Sequence, residues 1–517
     1  MVALASPAAM DGSGKGRTRK CVQCNSVSLV GIDLGTSSAK VLACDVLGAT
    51  FASAARAYAM RAPRPGFVEL AAGDVLAGAE AALREVLAAL RAAEVPVAAL
   101  GLSGAMHGIV AVDECGEALG PCVTWLDRRS AAIAAGWQRD GTAARLYART
   151  GAPVHPMLPS CKLRWFAENT PEIFARAAKF VSLKELLVFR LTGEWVIDWG
   201  MASGTGLFDV RGRSWDAEAL DLARVGTERL SRLAAPSTPL RLRDEVAQEL
   251  ELPVDVPVVL ASSDGALANL GVGAVGKDEF ALTLGTSGAL RVVVTEPVLD
   301  ATARTFCYAY DDRSYIAGGA TSSAGAVLAK FEDWLLADTT PVERPARAVA
   351  LAIAAPLGAR GLTLAPFLSG ERAPYWRVDL HGMLAGLDLA HERSDIVRAA
   401  FEGIVFALRS VYDVLLERLQ PPKRLRLSGG LVGTAFVRQL IADVFACETS
   451  FRECADASAF GAAIMAGLSI GLVDRVADMV SSRSVLVNVP GSGNVARYAA
   501  AYERYRTVVA ATLAMSS

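Results

Sequence analysis

Two short phrases, roughly half a chain apart, carry residue types suited to holding phosphate: Asp33-Leu34-Gly35-Thr36-Ser37-Ser38-Ala39-Lys40 and Thr283-Leu284-Gly285-Thr286-Ser287-Gly288-Ala289-Leu290. In each, glycine frees the backbone for a tight turn, and successive N–H groups and hydroxyls can cradle anionic oxygens. The copies differ in charge. The first carries an acid, Asp33, and a base, Lys40, where the second has Thr283 and Leu290. The first can therefore serve a metal-bound phosphate, while the second adds neutral donors. A third stretch, Ser262-Ser263-Asp264-Gly265, places a carboxylate at the end of the apolar run Val256 to Ala261. Strand ends of open α/β sheets are where catalytic groups and ligands collect.

Elements of matching type must position these phrases. Each follows an apolar, β-branched run, Val27 to Ile32 and Phe280 to Leu284, and so reads as a strand entering a turn. After the first, Val41 to Val46 and Phe51 to Arg56 complete a meander around Gly48, Gly73 to Ala93 is an alanine- and leucine-rich helix, and Val97 to Leu102 is a further strand. Ile109 to Asp113 returns as a strand, and a helical period covers Phe180 to Leu191. The second half repeats the order: Ser314 to Ala317 as a strand, helices over Gly325 to Leu336 and Arg393 to Leu419, the strand Arg424 to Leu427, and a helix over Ala435 to Cys447. Two strand-turn units in matched settings predict a duplicated α/β fold closing around one phosphate chain. Between the last strand and helix, Ser428-Gly429-Gly430 reads either as a packing turn or as a place where a flat ring and its ribose approach the backbone.

Composition narrows the function classes. The chain has 517 residues, more than one core usually organises, so two domains are expected. Its apolar stretches are broken by charged residues before they reach the length of a membrane-spanning helix, which predicts a soluble protein. A net charge of -2 gives no reason to expect nucleic acid or an anionic membrane and favours a small-molecule substrate. Nine scattered cysteines and the lack of an apolar signal core at the start point to a reducing cytosol. Residues 1–26, rich in Ala, Ser and Gly, predict a disordered arm. Within it, Gly12-Ser13-Gly14-Lys15-Gly16 imitates a Walker loop but lacks the first glycine, carries Gly16 where a hydroxyl should bind magnesium, and follows no strand. The Cys21/Cys24 pair has no second pair to make a zinc site.

From Val27 to about Val473 the chain resembles the FGGY carbohydrate kinases, members of the sugar kinase, heat-shock and actin superfamily. The resemblance is carried by Met157 to Asn169, by Gly382 to Glu402 with Gly386, Asp395 and Ala399 in register, and by the paired turns with Ser428-Gly429-Gly430. Ser103-Gly104-Ala105-Met106-His107-Gly108, Thr124 to Ser130, Gly151 to Met157, Ala202 to Phe208, Ser263-Asp264-Gly265 and Leu368 to Trp376 are similar to the gluconokinase branch. Xylulokinases look alike over Met106-His107 but usually carry Gln at the place of Ala105.

The resemblance implies two duplicated ribonuclease H-like, actin-like ATPase domains with a cleft between them. Residues 27–272 would be the N-terminal domain, 273–475 the C-terminal domain, and 476–517 a helical segment. It implies an ATP- and magnesium-dependent phosphotransferase acting on a sugar acid, D-gluconate, with xylulose or another sugar or polyol as the alternative acceptor; a non-catalytic, actin-like nucleotide-dependent sugar sensor is a remote one. Relatives commonly form homodimers, and that analogy extends to this chain. Asp264 becomes the base, and Asp33 acts on magnesium, with Asp264 sharing it directly or through water. Gly35, Thr36, Ser37, Ser38 and Lys40 would bind terminal phosphates, joined by Gly285, Thr286, Ser287 and the helix start at Gly325. Gly429, Gly430 and Thr434 would border adenosine. An acceptor with a carboxylate and several hydroxyls needs polar and cationic contacts. The candidates are Met106, His107, Asp127, Arg128, His155, Lys162 and Asp264.

Overall fold

A computed structural model of the chain describes residues 27–454, 456–481 and 485–516. The expected arm, its Walker-like phrase and the Cys21/Cys24 pair lie outside the described residues. Among those residues no helix is long and apolar enough to cross a membrane.

The first lobe is built on a mixed sheet of β1 (Ser28–Leu34), β2 (Ser38–Cys44), β3 (Thr50–Ala57), β4 (Val97–Gly104), β5 (Pro239–Leu240) and β6 (Val258–Val259), in the order β5-β6-β4-β1-β2-β3. β1 runs antiparallel to β2 and parallel to β4. Every residue of β1 is buried, as expected for a central strand covered on both faces. Val30, Ile32 and Leu34 share one core with α1 (Ala72–Ala92), whose apolar stripe includes Val75, Leu76, Leu83 and Leu87. The opposite face carries Leu29, Gly31 and Asp33. Helices α2 (Pro159–Asn169) and α3 (Leu183–Thr192) belong to the elements inserted between β4 and β5. The sequence pattern placed the start of α3 at Phe180; instead Lys179–Val181 pairs with Val110–Val112, and Ser182 opens the helix in a reciprocal cap with Glu185. β6 is likewise shorter than the apolar run from Val256 suggested. It leads to α4 (Asp264–Gly271).

The second lobe repeats the plan with β7 (Glu279–Leu284), β8 (Gly288–Val294), β9 (Phe306–Ala309), β10 (Tyr315–Thr321), α5 (Gly325–Leu335), α6 (Arg393–Leu416), β11 (Arg424–Ser428), α7 (Ala435–Phe445), β12 (Glu448–Phe451), α8 (Ala457–Ser469), β13 (Leu486–Asn488) and α9 (Ser492–Met515). The sheet order is β9-β10-β8-β7-β11-β12-β13. β7 pairs antiparallel with β8 and parallel with β11, as β1 does with β2 and β4. The two glycine-hydroxyl turns therefore join equivalent strands of two copies of one fold, a ribonuclease H-like, actin-like arrangement.

The lobes meet along α8. A Cβ on Gly31 or Gly101 would stand 1.8 or 2.1 Å from the Ala459 or Ala462 carbonyl oxygen, and one on Gly461 would stand 2.0 Å from that of Leu267. Glycine is required there because backbone touches backbone.

Candidate active site

Both turns and Asp264 line a single interlobe cleft of about 350 Å³. In the first turn the Gly35 N–H donates to the Ser38 carbonyl at 3.1 Å. Tyr58 clamps that turn, its N–H donating to the Ser37 carbonyl and its hydroxyl to that of Gly35. The Trp125 indole N–H donates to Thr36 Oγ1 at 3.0 Å. The second turn closes one residue tighter, with the Gly285 N–H on the Ser287 carbonyl at 3.0 Å. Here the structure corrects one expectation. The N–H groups of Gly325 and Ala326 donate to the carbonyls of Gly285 and Thr286, so the helix start braces the turn instead of facing a phosphate.

Asp264 is the first residue of α4, behind Ser263, whose Oγ caps the Ala266 N–H. Its Oδ1 accepts the Gly265 N–H at 2.6 Å. Burial raises its pKa, and the nearby Arg291 guanidinium offsets part of that rise. Asp33 accepts a hydrogen bond from Ser103 Oγ. Burial, then the negative charges of Asp456 and Asp264, push its carboxyl well above the ordinary range. Such under-compensated buried carboxylates suit a divalent cation. No group of three or more His, Cys, Asp or Glu side chains among the described residues could hold an ion by itself, so phosphate oxygens and water would complete its shell. Lys40, expected beside the terminal phosphates, lines the cleft with its ammonium 2.7 Å from Asp456 Oδ2. Burial works against that charge, and the Asp456 carboxylate outweighs it.

Of the acceptor candidates, Met106, His107 and Asp264 line the cleft. His107 sits at φ 67°, a strained backbone for a non-glycine residue. Its Nδ1 is 2.6 Å from the Gly204 carbonyl, so that nitrogen carries the proton. Burial pushes its pKa down to about 3, which leaves a neutral ring with Nε2 as an acceptor.

The structure sends the others elsewhere. Lys162, on α2, is fully buried and donates to the carbonyls of His107 at 2.6 Å, Thr124 at 2.7 Å and Val123 at 3.3 Å. Three acceptors match the three N–H bonds of an ammonium, so Lys162 positions His107 and the segment leading to Trp125. Asp127 is consumed by Arg129 and by the Val68 N–H at 2.7 Å. Arg128 reaches the second lobe and donates to the carbonyls of Ser369 and Val378. His155 is buried, accepts the Met157 N–H at 3.2 Å, and packs edge-on against Trp376, which does line the cleft. These four shape the walls from behind.

Near the end of β11, Gly429 adopts φ 97°, and a Cβ there would fall 2.3 Å from the Leu284 carbonyl oxygen. Its glycine serves the contact with β7, while a Cβ on Gly430 would meet no atom within 4 Å. Thr434 caps α7 through the Val437 N–H.

Among the cleft residues to which sequence reasoning gave no role are Trp125, Arg291, Tyr308 and Arg372. Arg291 projects from β8 and donates to Thr283 Oγ1 at 3.3 Å. Arg372 lies with its Cζ 4.5 Å from the Trp125 ring centroid. The strict alternation of side chains along β8 and β9 would have put Arg291, Phe306 and Tyr308 on one sheet face had the register been known.

Residues 28–271 match the N-terminal domain, and residues 280–470 the C-terminal domain, of the FGGY family of carbohydrate kinases. The chain is 33% identical over 469 residues to a gluconokinase of Bacillus subtilis, covering 88% of this chain and 90% of the relative. A gluconate kinase of Lactobacillus acidophilus superposes with a TM-score of 0.87 at 30% identity, covering 94% of this chain and 98% of that one. A ligand-bound xylulose kinase from the same organism gives 0.88 at 30% identity over the same shares. With two matched domains, one duplicated fold and a carboxylate between two phosphate-type turns, the chain belongs to the FGGY family of carbohydrate kinases.

Proposed function

We propose that this sugar phosphotransferase is a gluconokinase, transferring the γ-phosphoryl group of ATP to the terminal hydroxyl of D-gluconate to give 6-phospho-D-gluconate. One observation carries the acceptor reading: the cleft around Asp264 holds two guanidinium groups, Arg291 and Arg372, with no carboxylate within ion-pair distance of either among the described residues. The transferring phosphoryl group meets part of that charge with either acceptor, and a neutral ketose offers the rest no partner. An anionic acceptor offers one.

In this reading the two turns hold the phosphates from opposite lobes, through backbone N–H groups and the hydroxyls of Thr36, Ser37, Ser38, Thr286 and Ser287. Gly430 borders the adenosine. A magnesium ion bound with ATP supplies charge neutralisation, and Asp33 and Asp264 are the carboxylates that would hold it, directly or through water. As the acceptor oxygen bonds to the γ-phosphorus, the bond from that phosphorus to the ADP oxygen breaks, and the hydroxyl proton passes to the Asp264 carboxylate. In a loose transition state the proton can leave late, so Asp264 need not be strongly basic. Burial of the cleft between the lobes keeps water from competing with the hydroxyl.

The equally close likeness to a xylulose kinase makes a neutral ketose the second reading. Coupled ADP release with ATP and magnesium separates them, comparing D-gluconate with xylulose, ribulose, glycerol and no acceptor. Selective turnover of gluconate supports the proposal. Turnover of a ketose alone refutes it.

A further inference from the structure

Two polar atoms in the cleft wall lack a partner although their side chains are more than nine-tenths buried. Arg372 is 7% exposed, and its Nε–H donates to nothing. Tyr308 is 3% exposed, and its hydroxyl is likewise unpaired. Buried donors are nearly always satisfied, so two enclosed orphans on residues that line one cleft mark a place where a ligand, admitted by a small side-chain shift, completes the bonding.

Both groups are rigidly held. The Arg372 guanidinium lies over Trp125, and its Nη2 donates to the Thr321 carbonyl at 2.8 Å, which fixes the plane and leaves Nε directed elsewhere. The Tyr308 ring stacks on Phe306 at 4.5 Å between centroids and meets His107 edge-on at 6.4 Å. Asp264, Tyr308 and Arg372 all line the same cleft. Arg291 stands at the Asp264 end, where a Cβ on Gly265 would come within 2.9 Å of its Nη2 and where its Nη1 donates to Thr283 Oγ1. Arg372 and Tyr308 are the donors left for the rest of the acceptor. A phenol and a guanidinium N–H both donate, and their common complement is an anionic oxygen.

Building on the gluconokinase reading, we infer that Arg372 and Tyr308 together receive the carboxylate of the acceptor, setting the sugar acid with its far hydroxyl toward Asp264. His107 Nε2, an acceptor, is left for one of the intervening hydroxyls. Arg372 and Tyr308 are thus the specificity determinants for an acid over the corresponding alcohol.

The test compares D-gluconate with D-glucitol, which keeps the carbon chain and replaces the carboxylate with a hydroxymethyl group, on the full chain with ATP and magnesium. Tyr308→Phe keeps the ring and its stack, and is expected to raise KM for gluconate about tenfold, with KM for ATP unchanged, because a donor to a charged group is lost. Arg372→Gln is expected to cut the gluconate-over-glucitol preference in kcat/KM about a hundredfold. Because Arg372 also packs on Trp125, its variant could lose structure; Tyr308→Phe then decides alone. If the wild-type chain turns over gluconate while Tyr308→Phe keeps the wild-type preference and KM, the carboxylate assignment is overturned and the gluconokinase reading stands. If the wild type turns over xylulose and ignores gluconate, the gluconokinase reading itself fails and takes this assignment with it.

Discussion

Ser458 Oγ donates to the backbone carbonyl of Asp264 at 3.0 Å, across 194 residues of sequence. The peptide that carries the proposed base is thus held from its own lobe by the Ser263 cap and from α8 by Ser458. Both contacts leave the Asp264 side chain untouched, and an amide oxygen can accept the Gly265 N–H as the carboxylate does, so Asp264→Asn keeps the bonding of the helix start.

Asp264→Asn should therefore fold normally and lose turnover. A positioned base contributes about 10²–10⁴-fold, and kcat is expected to fall by that order. Coupled ADP release measures the loss, and an unchanged thermal midpoint would assign it to chemistry and not to collapse of the site.

The pH profile should carry the mark of Arg291. Burial raises the Asp264 pKa and Arg291 holds it down, and only the ionised carboxylate can accept a proton. Activity is then lost as pH falls through this raised value, so the acid limb of kcat lies above the ordinary carboxylate range. Arg291→Met removes the opposing charge and should move the limb to higher pH. A limb that stays in place would show that some other group controls it.

Lys162→Met leaves three buried carbonyls without their donor. Burial lowers the Lys162 pKa to about 7, so each bond is taken at the ordinary value of about 0.5–1.5 kcal/mol, and a stability loss of about 1.5–4.5 kcal/mol is expected in denaturant titration. Since the carbonyls belong to His107, Val123 and Thr124, the acceptor KM should rise more than the ATP KM.

How far the sequence could be read depended on the range of the contacts involved. Gly35, Gly285 and Asp264 were legible because a strand, a turn and the residue that follows it are local, and the duplicated order around them exposed the repeated fold. Phe180 was misread because the pairing of Lys179–Val181 with Val110–Val112 is not local, although the Ser182 and Glu185 cap was on the page. For Asp127, Arg128, His155 and Lys162 the chemical type was visible and the direction was not. Whether such a side chain meets a ligand or a carbonyl depends on strands and loops that only tertiary structure brings near. Asp456, paired with Lys40 at a separation of 416 residues, offered no local signal beyond a helix cap.

Gly461→Ala would drive a methyl group into the Leu267 carbonyl. Overpacking costs about 1–3 kcal/mol where side chains can yield, and backbone cannot, so the expected loss is at the top of that range or above. Calorimetry would show it as a lower midpoint, and a neutral result would mean that α4 and α8 can slide apart.

The placement of α8 also governs how the molecule can come apart. It arrives late in the chain yet roofs β1 and β4 of the first lobe, so a fragment ending near residue 272 would leave that sheet face, with Gly31 and Gly101, open to solvent. Halves made separately should be insoluble and regain a soluble form only when mixed, and intact protein should melt in one transition despite its bilobed outline. The fold repeats one plan twice, and α8 is expected to make the two repeats one cooperative unit.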